Sequence, residues 1–253
     1  ATVEGFHRRG VGASEARERL RLSVELAKRA RDDFWRQEPR GRRRPLVAAS
    51  VGPYGAARAD GSEYTGRYDR DAGGLRDFHA ERFALLAGAG ADLLACETLP
   101  SAVEARVLLG LLDETPGACA WFSFTARDAA HISDGTPIRE IAQELSHDRV
   151  LGVGVNCVPP ALVDGLLAEL GEATDHPLVA YPNSGEGWDA TAKRWTGSST
   201  GVPLARDAVR WHGAGALLVG GCCRVGPGEI ATLRTHLLGR SEPLDSHGME
   251  RTQ

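Results

Sequence analysis

Two hydrophobic patterns alternate along the chain. Residues 14–39, SEARERLRLSVELAKRARDDFWRQEP, read as a long amphipathic helix, with Ser14 a candidate N-cap and Pro39 beyond the stop. PLVAASVGPYG follows as a short buried strand with a glycine-punctuated end. The alternation then repeats. Helices over about 73–90, 101–114, 136–147, 159–171 and 203–213 lead into ADLLACETLP, CAWFSFT, RVLGVGVNC, PLVAYPNSG and GALLVGGCC, and a last helix spans 227–238. Near-continuous apolar strands suit a parallel sheet covered on both faces, so the pattern predicts an α/β protein. A doubly wound sheet satisfies it. So does a (β/α)8 TIM barrel with only about six of its eight strands in this chain. No repeat or linker interrupts the pattern: residues 1–239 read as one domain and 240–253, RSEPLDSHGMERTQ, as a loose polar tail.

Composition narrows the class. The 253 residues are 42% hydrophobic and 25% charged, ordinary globular usage for one large domain. A formal net charge of −4 gives no case for nucleic acid, and the one basic cluster, Arg36 to Pro45, reads as a solvated loop. No apolar run reaches the length of a membrane span, and no secretory signal pattern is present. The five cysteines have no disulfide-framework spacing, which points to reduced thiols and a cytoplasmic location.

Chemistry concentrates at the strand ends: Ser50–Gly55, Cys96–Glu97–Thr98, Ser123–Thr125, Asn156–Cys157, Tyr181–Asn183 and Gly221–Arg224. In parallel α/β folds the active site lies at the carboxyl ends of the strands, so these stretches share the expected site face. Cys157 ends the fourth strand; Cys222 and Cys223 end the sixth. Intervals of 65 and 66 residues match no local zinc motif, but alternate barrel strands feed the same interior layer. Three thiolates bind zinc and leave a fourth position open, as catalytic zinc sites do. Cys96 and Cys119 read instead as small buried hydrophobes. The eight histidines form no HxH or HExxH pair, and His131 and Asp134 read as loop and cap residues. No GxSxG elbow or P-loop is present.

The motifs SVGPYGA (50–56), ADGSEY (59–64), LLACETLP (93–100), WFSFT (121–125), SDGTP (133–137), GVNC (154–157), YPNSGE (181–186) and GGCCR (220–224) resemble those of the homocysteine S-methyltransferases, in particular the branch that uses S-methylmethionine or S-adenosylmethionine. The resemblance runs from residue 1 to about 239. It implies a (β/α)8 barrel, one zinc ion on Cys157, Cys222 and Cys223, and Glu97 as a partner for the homocysteine amino group. Family members begin with two strands that precede the point where this chain starts, so an incomplete barrel is expected.

Such a reaction explains what the sequence lacks. A thiol near pKa 8.5 is mostly protonated at neutral pH, and coordination to zinc removes the proton. A sulfonium donor releases a neutral thioether, so no general acid is needed. Onium groups favour aromatic faces, which makes Tyr54 and Tyr181 substrate-binding candidates; rim packing explains them equally well. Asn183 either orients substrate or makes its turn. Arg224 either steers a carboxylate or forms a structural ion pair. Two alternatives stay open: a methylfolate or betaine donor, and a non-catalytic zinc/thiol-binding module. A redox role for the adjacent Cys222 and Cys223 is a third. The partners implied are small molecules, homocysteine and a sulfonium compound.

Overall fold

The structure is a computed structural model that describes residues 1–37, 43–197 and 204–239. Pro39, the middle of the basic cluster and the 240–253 tail lie outside these residues. After a short helix α1 (Val3–His7) comes α2 (Ala13–Gln37), beginning one residue before Ser14. It buries Ala16, Leu20 and Val24, four residues apart and hence on one stripe.

Six parallel strands form one sheet: β1 (Ala48–Val51), β2 (Leu93–Leu99), β3 (Ala120–Phe124), β4 (Val150–Asn156), β5 (Leu178–Tyr181) and, after a hairpin described below, β8 (Ala216–Val219). Their spatial order is β1-β2-β3-β4-β5-β8, so each strand pairs with its predecessor in this series and β1 and β8 are the edges. Helices α4 (Ala72–Ala87), α5 (Ala102–Asp113), α6 (Ile138–Glu144), α7 (Pro160–Gly171) and α8 (Leu204–Gly213) link consecutive strands, and α9 (Pro227–Leu238) follows β8. This is the strand–helix run of a (β/α)8 barrel, with six strands in an open arc. Asp71 caps α4 by accepting from Gly74 N at 2.9 Å, and Asp134 caps α5 by accepting from Ala102 N at 2.8 Å.

The interior strands are buried as their apolar runs require, and Phe122, Phe124, Val153 and Val155 are fully enclosed. β8 departs from its sequence reading: Leu217 and Leu218 are 64% and 45% exposed. An edge strand has a neighbour on one side only, and an apolar run cannot report that. Cys119 is also half-exposed, whereas Cys96 is buried.

Gly154 fixes the approach of β4 to β5. A Cβ there would lie 1.8 Å from the Val179 carbonyl oxygen. Gly154→Ala is therefore expected to destabilise by about 3 kcal/mol or more and to lower the thermal midpoint by about 6–12 °C for a domain of this size. A thermal melt with an unchanged midpoint would contradict this contact.

Several short elements escape the sequence pattern. They are α1, α3 (Tyr54–Arg58), a 3-10 turn at Ser62–Tyr64, and the antiparallel hairpin β6 (Gly187–Asp189) and β7 (Arg194–Thr196). The hairpin pairs Trp188 with Trp195, their rings 5.4 Å apart, and its turn residue Ala190 packs against Gly61.

A buried polar cluster anchors the loop after β1. Glu104 and His79 are fully enclosed and Arg82 nearly so. Glu104 accepts from Tyr54 N at 2.6 Å and Tyr68 OH at 2.8 Å, and pairs with His79 Nε2 at 2.7 Å. Arg82 donates to the Gly52 carbonyl at 2.6 Å. Burial lowers the His79 pKa, against the pull of Glu104.

Candidate metal centre and substrate site

The three cysteines meet because β5 lies between the strands that carry them. Cys157 follows the last residue of β4, and its N–H donates to the Tyr181 carbonyl at 3.1 Å. Beyond β8 the chain is zipped to the same segment: Cys222 N donates to Pro182 O at 2.8 Å, and Ser184 N to Cys223 O at 3.2 Å. Asn183 completes the join, its Nδ2 donating to the Cys157 carbonyl at 3.1 Å and its Oδ1 accepting from Gly185 N at 2.8 Å. Both ends of the Asn183 amide serve this turn, the structural alternative that the sequence offered for it.

The sulfurs of Cys157, Cys222 and Cys223 all lie within 4.8 Å of one another, with Cys157 and Cys223 at 3.4 Å. Zn–S bonds of about 2.3 Å in a tetrahedron place sulfurs about 3.8 Å apart, so the set fits a zinc-sized ion. Its protonation points the same way. The Cys157 pKa is pulled down by hydrogen bonds from its two neighbours, and the Tyr64 hydroxyl, 3.6 Å away, adds to this. Cys222 is pushed up by the same interactions and by burial, and Cys223 is also raised, mainly by its interaction with Cys157. Only a cation makes three thiolates compatible at this spacing.

Backbone strain concentrates here. Five described non-glycine residues have positive φ, and Thr98 (62°), Cys157 (54°) and Arg224 (67°) all follow or end site strands. A β-branched residue such as Thr98 adopts this conformation rarely, at a cost on the order of 1–2 kcal/mol.

A hydrogen-bond network runs from the sulfurs across the sheet. Asn156, fully buried, approaches Cys222 Sγ with Nδ2 at 3.8 Å and donates to Thr98 Oγ1 at 2.8 Å. Its Oδ1 accepts from Thr98 N at 2.7 Å and from Ser123 Oγ at 2.8 Å. Ser123 lies 2.6 Å from the Tyr181 hydroxyl, which accepts from Trp121 Nε1 at 3.0 Å. Tyr181 OH in turn donates to Glu97 Oε2 at 3.0 Å, and Ser50 donates to Glu97 Oε1. Burial and the Glu97 charge raise the Tyr181 pKa well above that of a free phenol, so it stays a donor. Glu97 and Thr98 also line a cavity of about 1060 Å³ on the β1 side, shared with Ser50, Gly52, Pro53 and Arg82.

Tyr54 does not join this group. It opens α3, where its hydroxyl donates to Asp69 at 3.0 Å and its ring meets Tyr68, Phe78 and the Arg70 guanidinium. The side chain is buried against protein, because the strand stops at Val51 and a helix begins at Tyr54. The Tyr181 hydroxyl lies within hydrogen-bond distance of Trp121, Ser123 and Glu97. Arg224 pairs with Glu186 at 3.0 Å, the structural alternative for that residue.

Comparison with known proteins agrees with this geometry. The homocysteine S-methyltransferase family model matches residues 1–237. The chain belongs to the homocysteine S-methyltransferase family. Homocysteine S-methyltransferase YbgG of Bacillus subtilis is 46% identical over 233 residues, covering 91% of this chain and 74% of that protein. The homocysteine S-methyltransferase of Escherichia coli is 44% identical over 236 residues, with 92% and 76% covered. The metallated form of the Escherichia coli homocysteine methyltransferase MmuM superposes with a TM-score of 0.83 at 43% identity, over 93% of this chain and 76% of that one. The chain is thus a methyltransferase of this family with a three-cysteine group able to hold a metal. No described helix is long and apolar enough to cross a membrane.

Ser123 and Asn156 were visible in the sequence as strand-end residues, without a role. Glu63 and Tyr64 were visible within the ADGSEY motif, without a role; they sit in a loop after β1, and the turn that folds over the sheet brings the Tyr64 hydroxyl to Cys157.

Proposed function

We propose that residues 1–239 act as one unit that transfers a methyl group from a sulfonium donor, S-methylmethionine or S-adenosylmethionine, to homocysteine, giving methionine. One observation carries this reading: three sulfurs from two distant strand ends converge within 4.8 Å. Cys157, Cys222 and Cys223 would hold zinc through three of its four tetrahedral positions. Zinc bound there supplies the charge that keeps a substrate sulfur deprotonated at neutral pH.

The chain's own residues do the rest by positioning. Glu97 offers a carboxylate oriented by Ser50 and Tyr181, suited to the homocysteine ammonium. Trp121 fixes the Tyr181 hydroxyl by donating to it, so the carboxylate is presented without reorganisation. The new S–CH3 bond forms as the old one breaks, and the donor sulfur keeps the electron pair and leaves as a thioether. No group need supply a proton. A reducing compartment such as the cytoplasm keeps the five free cysteines as thiols.

The test is methionine formation from homocysteine and S-methylmethionine with and without metal. Chelation is expected to lower the rate at least about 30-fold, because only a few per cent of an unassisted thiol is ionised at pH 7, and zinc to restore it. Turnover indifferent to the chelator, or methyl transfer only from betaine or a methylfolate, would overturn the reading.

A further inference from the structure

Three buried polar side-chain atoms among the described residues have no hydrogen-bond partner, and one of them, Glu63 Oε2, belongs to the turn over the sulfur cluster. The turn Ser62–Tyr64 is held from two sides. Its backbone is packed on α3 so tightly that a Cβ at Gly55 would lie 2.4 Å from Glu63 N. The Glu63 carbonyl accepts from Thr125 Oγ1, beyond the end of β3, at 3.2 Å. The neighbouring Tyr64 hydroxyl reaches Cys157 Sγ at 3.6 Å. The turn that carries Glu63 is therefore fixed, next in the chain to the Tyr64 contact with Cys157, and one Glu63 carboxylate oxygen is enclosed without a partner. Burial raises its pKa and the charges of Asp60 and Cys157 add to the shift, while backbone hydrogen bonds from Glu63 and Gly61 pull the other way.

An enclosed carboxylate oxygen with no donor is unfavourable until a cation arrives. The reaction proposed above brings two amino acids to the sulfurs, and Glu97 answers the ammonium of only one. The donor carries two positive charges, and they behave differently. The sulfonium charge vanishes as the methyl group leaves, so a carboxylate against it would favour the bound donor over the transition state and slow transfer. The ammonium charge persists throughout, so a contact with it adds affinity without that penalty. We propose that Glu63 is the anionic contact for the α-ammonium group of the sulfonium amino-acid donor, on the Tyr64 side of the cysteine cluster. This rests on the sulfonium-donor reading of the site.

Titration calorimetry on the full chain, wild type and Glu63→Gln, tests it with two probes: S-methylmethionine and the analogue that keeps its sulfonium and carboxylate but lacks the amine. The wild type is expected to prefer the amine-bearing donor about 10- to 100-fold, the range for a hydrogen bond between charged groups. In Glu63→Gln the preference shrinks to within about threefold, while affinity for the deaminated probe, affinity for homocysteine and metal content hold. A preference that survives in the variant overturns the assignment. So does metal loss in the variant, which would make Glu63 part of the sulfur cluster's support. A wild type that forms methionine from S-methylmethionine yet shows no preference overturns the Glu63 assignment alone. A wild type that neither binds the donor nor forms methionine removes the sulfonium reading along with it.

Discussion

Cys157→Ser is expected to purify with less than about a tenth of the metal of the wild type, which should hold about one zinc per chain. Of the three sulfurs, Cys157 has its pKa pulled down, and it lies 3.4 Å from Cys223. Serine keeps the size and removes the soft thiolate that zinc selects. Methionine formation should fall on the order of 10³-fold, since both the charge and the alignment of the attacking sulfur are lost. Metal content by mass spectrometry is the primary readout, with circular dichroism to show that the fold survives. Cys119→Ser is the matched control. Its thiol lies before β3 begins, 3.6 Å from the Asp92 carbonyl, at the opposite end of the sheet, and its metal content should equal that of the wild type. Equal metal in Cys157→Ser would remove the site.

Glu97→Gln should raise the KM for homocysteine about 30- to 150-fold, with kcat changed less than about threefold. The carboxylate receives two hydroxyl donors, from Ser50 and Tyr181. An amide keeps one acceptor and turns its other group into a donor, so one of those hydroxyls loses its partner as the charge disappears. The substrate ammonium is equally charged in the bound state and at methyl transfer. The lost contact therefore weakens both alike and appears in KM. Steady-state kinetics with a saturating donor, alongside an unchanged metal content, would show this. A collapse of kcat at constant KM would instead make Glu97 a participant in the chemistry.

Legibility in the sequence tracked length and burial. Strands such as LLACET and RVLGVGVN are long apolar runs and announced themselves, and their helices followed by periodicity. β8 carried the same signal yet lies half-exposed, because which strand is an edge depends on the whole sheet. The hairpin β6–β7 and helix α3 are three to five residues long, too short for any period. At the site, Cys157, Cys222 and Cys223 were found by their place at strand ends, since a parallel sheet delivers its ends to one face. Partner choice was not legible. Asn156 meets Ser123 and Thr98 through inter-strand register, and Tyr54 packs against Tyr68 and Phe78 where a helix begins. No local pattern encodes either fact.

The contact between Cys157 and Cys223 joins positions 66 apart in the chain. A short motif of paired ligands can capture metal as soon as a few residues emerge, and the ion then guides the rest of the fold. Here the adjacent Cys222 and Cys223 are joined by Cys157 only once β4, β5 and β8 are all in place, and closing so long a loop is among the slower events of folding. Loading with metal is consequently a late event, and uptake by a refolding sample would time the completion of the sheet.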